Sequence, residues 1–158
     1  MTDAAADAEN TLTMQLESGT VTIRLRPDLA PGHVQRIKEL AREGFYDGVV
    51  FHRVIPGFMA QGGDPTGRGT GGSDRPNLKA EFSKEPHVRG VCSMARTNNP
   101  DTANSQFFIV FDDSAFLDGQ YTVWGEVIEG MEHVDALPVG EPPRQPGKIV
   151  SMRVGEGG

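Results

Sequence analysis

Residues 50–64 read VFHRVIPGFMAQGGD, in which two strand-like runs flank a Pro-Gly turn. The run from Val50 to Ile55 is rich in β-branched and aromatic residues, which favour strands. It also contains Arg53, a permanent cation that is costly to bury without a partner. Two interpretations of Arg53 are open. It either keeps its charge in an ion pair or at an exposed edge, or it is a fixed donor aimed at a ligand that the apolar neighbours hold.

The composition is that of an ordinary globular domain: 158 residues, of which 37% are apolar and 23% charged. A net charge of −7 without any run of Lys or Arg argues against a nucleic-acid partner. Cys92 is the only cysteine, so no intrachain disulfide can form, and a buried thiol is expected. The sequence shows neither an apolar stretch of the ~20 residues that a membrane span needs nor the pattern of a secretory signal. We therefore expect no membrane association and a cytoplasmic location.

Alternating and helical patterns predict a mainly β fold. Pro31 begins a helical pattern that Gly44 ends, and a second, short helix is predicted over residues 131–137. Residues 1–10 are predicted to be a disordered leader and residues 11–158 a single domain. Many short strands with two helices favour an antiparallel closed barrel or a sandwich. The predicted strands are residues 12–16, 21–25, 50–55, 58–61, 90–95, 107–111, 121–127 and 149–154.

Two long connections stand out between these elements. Residues 62–86 are Gly-rich and polar, and a loop of that length in a compact domain is usually functional. Residues 138–148 are Pro-rich and are predicted to be an extended connector. Carboxylates such as Glu141 in this region are interpreted as solvated charges rather than as an acid/base pair.

Several signals for other chemistry are weak. Glycines 67, 69 and 72 have the spacing of a dinucleotide fingerprint, but no helix pattern follows them, so no cofactor is expected. The four histidines show no paired spacing and have no cysteine companions, so no metal site is expected. Ser93 and Ser105 are possible nucleophiles, but neither lies in a Gly-x-Ser-x-Gly elbow or has an obvious His/Asp partner. A hydrolase therefore stays a remote alternative.

Three segments share a mixture of apolar, aromatic and uncharged hydrogen-bonding residues: 50–64, 93–109 and 116–121. If their strands adjoin, their side chains could form one apolar pocket with a polar rim. Periodicity alone leaves open the alternative that the aromatic residues are simply core. The pocket would consist of Phe58, Met59, Phe108, Phe116 and Leu117, and its rim of Arg53, Gln61, Gln106 and Tyr121.

These segments closely resemble the cyclophilins, a family of peptidyl-prolyl cis–trans isomerases. The resemblance is carried by FHRVIPGFMAQGGD at 51–64, SMART at 93–97 and SQFFI at 105–109, with GTGG at 69–72 and LDG at 117–119. It covers about residues 11–155. It implies a closed eight-stranded antiparallel barrel capped by two α-helices, with a substrate groove on the outer face of the barrel.

The resemblance also implies roles for individual residues. Arg53, Phe58, Gln61 and Phe108 take the catalytic positions. The substrate-binding positions are His52, Met59, Ala95, Arg96, Gln106, Phe116, Leu117 and Tyr121.

Three of these residues depart from common family patterns. Tyr121 stands where the family often has histidine, and Arg96 follows the alanine where other members have asparagine. Phe116 occupies a position that is tryptophan in members strongly inhibited by cyclosporin, so weakened binding of that drug is expected.

The resemblance further implies the partners. Proline-containing peptides and segments of unfolded or folded proteins are the expected substrates, so the chain would assist folding. It is expected to act as a monomer without a cofactor. A module that holds proline-containing segments without turnover is the alternative.

Overall fold

An eight-stranded antiparallel sheet organises the chain in the computed structural model, which describes residues 10–67, 71–141 and 143–154. The strands follow the order β3-β4-β6-β5-β7-β2-β1-β8 across the sheet. Each predicted strand is found, although β7 begins two residues later than the pattern indicated. The strands are β1 Thr11–Leu16, β2 Thr20–Leu25, β3 Phe51–Ile55, β4 Met59–Gly62, β5 Val91–Met94, β6 Phe107–Val110, β7 Val123–Glu129 and β8 Ile149–Val154.

The sheet is an open half-barrel, so the prediction of a closed barrel is wrong. Strands β3 and β8 lie at its two ends. The segments beside them meet at the bridge between Val50 and Lys148 and through backbone hydrogen bonds, such as the one from Phe51 N–H to the Gly147 carbonyl at 2.8 Å. The free edge of β3 is instead occupied by the connector over residues 138–148. Val54 N–H donates to the Gly140 carbonyl at 2.8 Å, and Gly140 N–H donates back to Val54 at 3.0 Å. At this point the edge of β3 is paired with the connector rather than with β8.

Two α-helices are found in the described residues, as predicted: α1 Pro31–Arg42 and α2 Met131–Asp135. A short 3₁₀ helix spans Ala115–Leu117. Helix α1 ends where Gly44 adopts a φ of 74°, a left-handed conformation that glycine reaches without strain. No helix of the described chain has the length and apolar character that crossing a membrane requires.

The N-terminus of α1 is capped by a residue that the sequence did not point to. Glu81, in the long loop over residues 62–86, accepts hydrogen bonds from the backbone N–H groups of Gly32 at 3.1 Å and His33 at 2.8 Å. Its carboxylate also lies 2.6 Å from His33 Nδ1. A carboxylate at this end of a helix satisfies free N–H groups and favours the helix dipole. This part of the loop therefore holds the helix in place.

The sheet carries an apolar cluster on each of its two faces. The main core packs α1 and the inward side chains of the strands, including Phe107 and Ile109 of β6. Their neighbours Phe108 and Val110 belong to a second, smaller cluster, because adjacent residues of a strand project to opposite faces. The other buried members of this outer cluster are Met59, Val91, Leu117 and Val123. The candidate site lies on this outer cluster.

Candidate active site

A cavity of about 140 Å³ opens over the outer cluster. All of its lining residues belong to the set predicted from the sequence, although their roles stay predictions. Strands β3, β4 and β6, the segment after β5 and the segment around the 3₁₀ helix each contribute to it. The lining residues are Arg53, Phe58, Met59, Gln61, Ala95, Arg96, Phe108, Leu117 and Tyr121.

The floor and one wall of this cavity are apolar. Met59, Phe108 and Leu117 are buried, so the floor is fixed by packing. Phe58 forms the wall, and its ring centroid lies 5.5 Å from that of Phe116. Phe116 is 66% exposed and lies at the rim rather than in the lining. The arrangement suits a small apolar ring that enters from solvent.

A second wall of the cavity is built by Arg96 and Tyr121. The Arg96 guanidinium lies 4.5 Å from the centroid of the Tyr121 ring, within cation–π range. Tyr121 in turn meets Phe108 edge to face at 5.5 Å. Arg96 also donates to the backbone carbonyls of Gln120, at 2.6 and 3.0 Å, and Thr97, at 2.8 Å. Three of its donors are therefore engaged within the protein, which makes Arg96 a structural part of the wall.

A chain of side-chain amides leads away from Arg53. Arg53 and Gln61 are opposite each other in the β3–β4 pair, and Arg53 Nη1 lies 3.5 Å from Gln61 Oε1. Gln61 Nε2 donates to Gln106 Oε1 at 3.0 Å, and Gln106 Nε2 donates to the Gly71 carbonyl at 3.0 Å. Because arginine only donates, each amide in this chain has a defined orientation. The rim is therefore polar, directional and fixed.

A carboxylate pairs with Arg53, and no local sequence pattern indicated which one. Arg53 Nε donates to Glu141 Oε1 at 2.9 Å across 88 positions of sequence. The two side chains are 43% and 56% exposed. The interpretation of Glu141 as a solvated charge is therefore incomplete, and the ion-pair interpretation of Arg53 is confirmed. That pairing is compatible with a role in binding, because Arg53 also lines the cavity.

A second, larger cavity of about 620 Å³ adjoins the first and shares Gln61, Ala95 and Arg96 with it. Its other lining residues are mostly polar and include Gln106, which places this predicted site residue beside the first cavity. His52 lines neither cavity. It is 8% exposed, and its Nδ1 is buried without a hydrogen-bond partner. A substrate-binding role for His52 stays a prediction.

Ser93 has the histidine and aspartate partners that the sequence failed to show, so that expectation was wrong. Ser93 Oγ lies 3.0 Å from His87 Nε2, and His87 Nδ1 lies 3.0 Å from Asp118 Oδ1. These are the components of a hydrolytic triad. Ser93 is completely buried, however, and its hydroxyl also contacts the Thr122 carbonyl at 2.9 Å. No substrate reaches it.

The Ser93–His87–Asp118 group instead supports the cavity floor. The His87 ring stacks beneath Phe108, with a centroid distance of 6.2 Å and an interplanar angle of 19°. Ser105, the other possible nucleophile, is buried and donates to the Gly63 carbonyl at 2.8 Å. The geometry gives no support to hydrolysis.

Acid is expected to destabilise the fold in two stages. Burial lowers the pKa of His33, His52 and His87 below the ordinary value of 6.5. Below that pH the unfolded chain takes up protons that the folded chain resists, so the free energy of unfolding falls. Hydrogen bonds from Arg26 and Arg153 lower the pKa of Asp28 and Asp47, so the stability they contribute is lost only at lower pH.

Urea unfolding at about pH 7, 6, 5 and 3.5 measures both stages. We expect the midpoint to fall between about pH 7 and 5, and to fall further below about pH 4. When each of the three buried histidines is replaced singly by glutamine, we expect the urea midpoint to fall less between about pH 7 and 5 than it does in the wild type. An equal stability at pH 7 and 5 would contradict the assignment.

Comparison with known proteins agrees with this geometry. The sequence model of the family described as cyclophilin type peptidyl-prolyl cis-trans isomerase/CLD matches residues 11–154. A Brucella suis protein named "Probable peptidyl-prolyl cis-trans isomerase" is 53% identical, with 97% of this chain and 86% of that protein covered. Peptidyl-prolyl cis-trans isomerase B of Bacillus subtilis is 46% identical, with 80% and 89% covered.

Solved structures show the same likeness. The crystal structure of a cyclophilin from Hirschia baltica has a TM-score of 0.87 at 33% identity, covering 94% of this chain and 74% of that one. A cyclophilin-type isomerase from Cryptosporidium parvum, crystallised in the presence of the dipeptide Ala-Pro, has a TM-score of 0.85 at 28% identity, covering 91% and 98%. The chain therefore belongs to the cyclophilin family and is a peptidyl-prolyl cis–trans isomerase.

Proposed function

We propose that the 140 Å³ cavity receives the prolyl ring of the substrate and that Arg53 stabilises the twisted X–Pro bond. One observation carries the proposal: a permanent cation lines a cavity whose floor and wall are apolar. Phe58, Met59, Phe108 and Leu117 supply those apolar surfaces. The ring is held while the chain on its N-terminal side rotates.

The chemistry requires no nucleophile and no proton transfer. Rotation about a peptide bond has a barrier of about 18–20 kcal/mol, because the C–N bond has partial double-bond character. The cis and trans forms of an X–Pro bond are close in energy but exchange over tens to hundreds of seconds. A site accelerates the exchange when it binds the twisted bond more tightly than either planar form.

Arg53 is suited to that difference. In the twisted state the prolyl nitrogen becomes a pyramidal amine with a lone pair, which can accept a hydrogen bond. A guanidinium stays protonated at every physiological pH and has five N–H donors. Nε of Arg53 is engaged by Glu141, and Nη1 has one 3.5 Å contact with Gln61. The other donors remain for the lone pair or the substrate carbonyl.

The amide chain and the adjoining cavity are proposed to hold the substrate backbone. Gln61 and Gln106 present oriented amides, and Ala95 and Arg96 lie where the two cavities meet. The Ala-Pro dipeptide named for the Cryptosporidium parvum structure supports proline-containing peptides as the ligands of this chain. Proline-containing segments of unfolded or folded proteins are the proposed clients, and assistance of folding is the proposed biological role.

An NMR exchange assay on a short X–Pro peptide tests the role of the cavity. The wild-type chain is expected to increase the cis–trans exchange rate, and filling the cavity by Ala95→Phe is expected to abolish the increase. Binding of the peptide without any change in its exchange rate would instead indicate a module that holds proline-containing segments.

Weak inhibition by cyclosporin is expected, because Phe116 replaces the tryptophan of strongly inhibited family members. Phenylalanine lacks the indole N–H donor, and Phe116 is exposed at the cavity rim. Phe116→Trp is therefore expected to tighten inhibition while changing peptide turnover little. Titration of both proteins with the drug checks this, and low-nanomolar inhibition of the wild type would refute it.

A monomer in the cytoplasm is proposed as the working form. Its support is that the cavity is formed within one chain and that Cys92 is a buried free thiol, so the fold depends on no disulfide. Light scattering of the purified protein and cell fractionation test the two parts.

A further inference from the structure

We infer that Glu141 is a positioning residue that fixes the orientation of the Arg53 guanidinium. The inference rests on the proposed role of Arg53 and extends it to a residue outside the cavity. Glu141 does not line the cavity, so it acts through Arg53 rather than on the substrate.

The contacts of Arg53 make Glu141 its stronger anchor. The Nε–Glu141 Oε1 distance is 2.9 Å, whereas the Nη1–Gln61 Oε1 distance is 3.5 Å, at the limit of a hydrogen bond. A guanidinium is a rigid planar fork, so anchoring Nε on one side sets the plane in which the remaining donors lie. A 43% exposed arginine without that anchor would sample several rotamers.

The backbone holds Glu141 in place for this task. Glu141 directly follows Gly140, and Arg53 directly precedes Val54. Gly140 and Val54 exchange two backbone hydrogen bonds, at 2.8 and 3.0 Å, which hold the connector against the edge of β3. The carboxylate therefore starts from a fixed position beside the arginine.

An exposed ion pair contributes little to stability, so the effect of Glu141 should appear in catalysis. Orientation matters most in the step where the bond is twisted, because a donor misplaced by a fraction of an ångström loses its transition-state contact. Glu141→Ala is expected to lower kcat about two- to fivefold, the kinetic equivalent of one exposed ion pair. KM is expected to change less.

Two variants and one matched control test the inference. Glu141→Gln keeps an acceptor oxygen without the charge, so it is expected to recover most of the kcat lost in Glu141→Ala. Asp135→Ala removes another exposed partner of an arginine, Arg89, and is expected to leave kcat unchanged. The Arg53 Nε–H signal in NMR should exchange with water slowly in the wild type and in Glu141→Gln, and faster in Glu141→Ala. Urea unfolding of each variant checks that the fold is kept.

The outcomes separate this inference from the proposed role of Arg53. Loss of activity in Arg53→Ala with an unchanged kcat in Glu141→Ala would overturn the positioning role alone. An unchanged activity in Arg53→Ala would overturn both. An Nε–H signal that exchanges equally in wild type and Glu141→Ala would also overturn the positioning role. A lower kcat, a faster-exchanging signal and recovery by glutamine together support it.

Discussion

Arg53→Ala is expected to lower kcat/KM for an X–Pro peptide by about 10²–10³-fold, by analogy with the loss of one preorganised oxyanion donor. The reason is that, among the described residues, two guanidinium groups line the cavity, and the donors of the other one, Arg96, are engaged with backbone carbonyls. The measurement is the exchange rate of the peptide by NMR or a protease-coupled assay. Undiminished isomerisation would refute the assigned mechanism.

Two further variants serve as controls for Arg53→Ala. Arg53→Lys keeps the positive charge but lacks the planar fork of a guanidinium. A lysine therefore cannot bind Glu141 with one nitrogen while other nitrogens in the same plane donate to the substrate. We expect it to recover only part of the activity. Arg89→Ala removes an arginine of similar exposure that pairs with Asp135 and does not line the cavity. It is expected to keep wild-type activity, which would show that loss of an exposed ion pair is not by itself enough to lower the isomerisation rate.

Local sequence patterns predicted the strands and helices because each depends on neighbouring residues. Alternation of apolar residues in residues 12–16 and 21–25 marked one face of β1 and β2, and those residues are buried as expected. Pro31 and Gly44 marked the two ends of α1. The shared character of three segments grouped the cavity residues, Phe108 among them. Periodicity left open whether these aromatic residues were core, and the family resemblance favoured the pocket.

Contacts between distant segments could not be predicted. Glu141 meets Arg53 only because Gly140 pairs with Val54, and no local pattern encodes that bridge. Asp118 likewise meets His87, the partner of Ser93, because the topology brings the segment after the 3₁₀ helix close to it. Such contacts depend on how the strands are arranged.

Phe107→Ala is expected to lower the free energy of unfolding by about 3–5 kcal/mol. Phe107 is fully buried, and its ring meets Tyr46, Phe51 and Trp124 edge to face at 5.5, 6.1 and 5.8 Å. Removing the ring leaves a cavity bounded by these three aromatic side chains, whose cost adds to that of the lost burial. Domains of this size are stabilised by only about 5–15 kcal/mol, so the variant loses a large share of its stability. Urea unfolding measures the difference.

Phe108→Ala, one position along the same strand, is expected to lose less stability and more activity than Phe107→Ala. Phe108 faces the outer cluster and forms the floor of a cavity that is already open to solvent. Water can fill the space left by its ring, so we expect a smaller loss of stability than for Phe107→Ala. The loss of kcat/KM should be larger, because the prolyl ring no longer has a floor.

The comparison of the two variants tests whether fold and function are divided between the faces of β6. If Phe108→Ala unfolds the chain as readily as Phe107→Ala, the outer cluster is part of the folding core. If Phe107→Ala, measured where it is still folded, loses as much activity as Phe108→Ala, the cavity depends on packing across the sheet. The expected result is a crossed pattern, with stability lost on one face and turnover lost on the other. That pattern would follow from the alternation of side chains along a strand, which places the two rings on opposite faces.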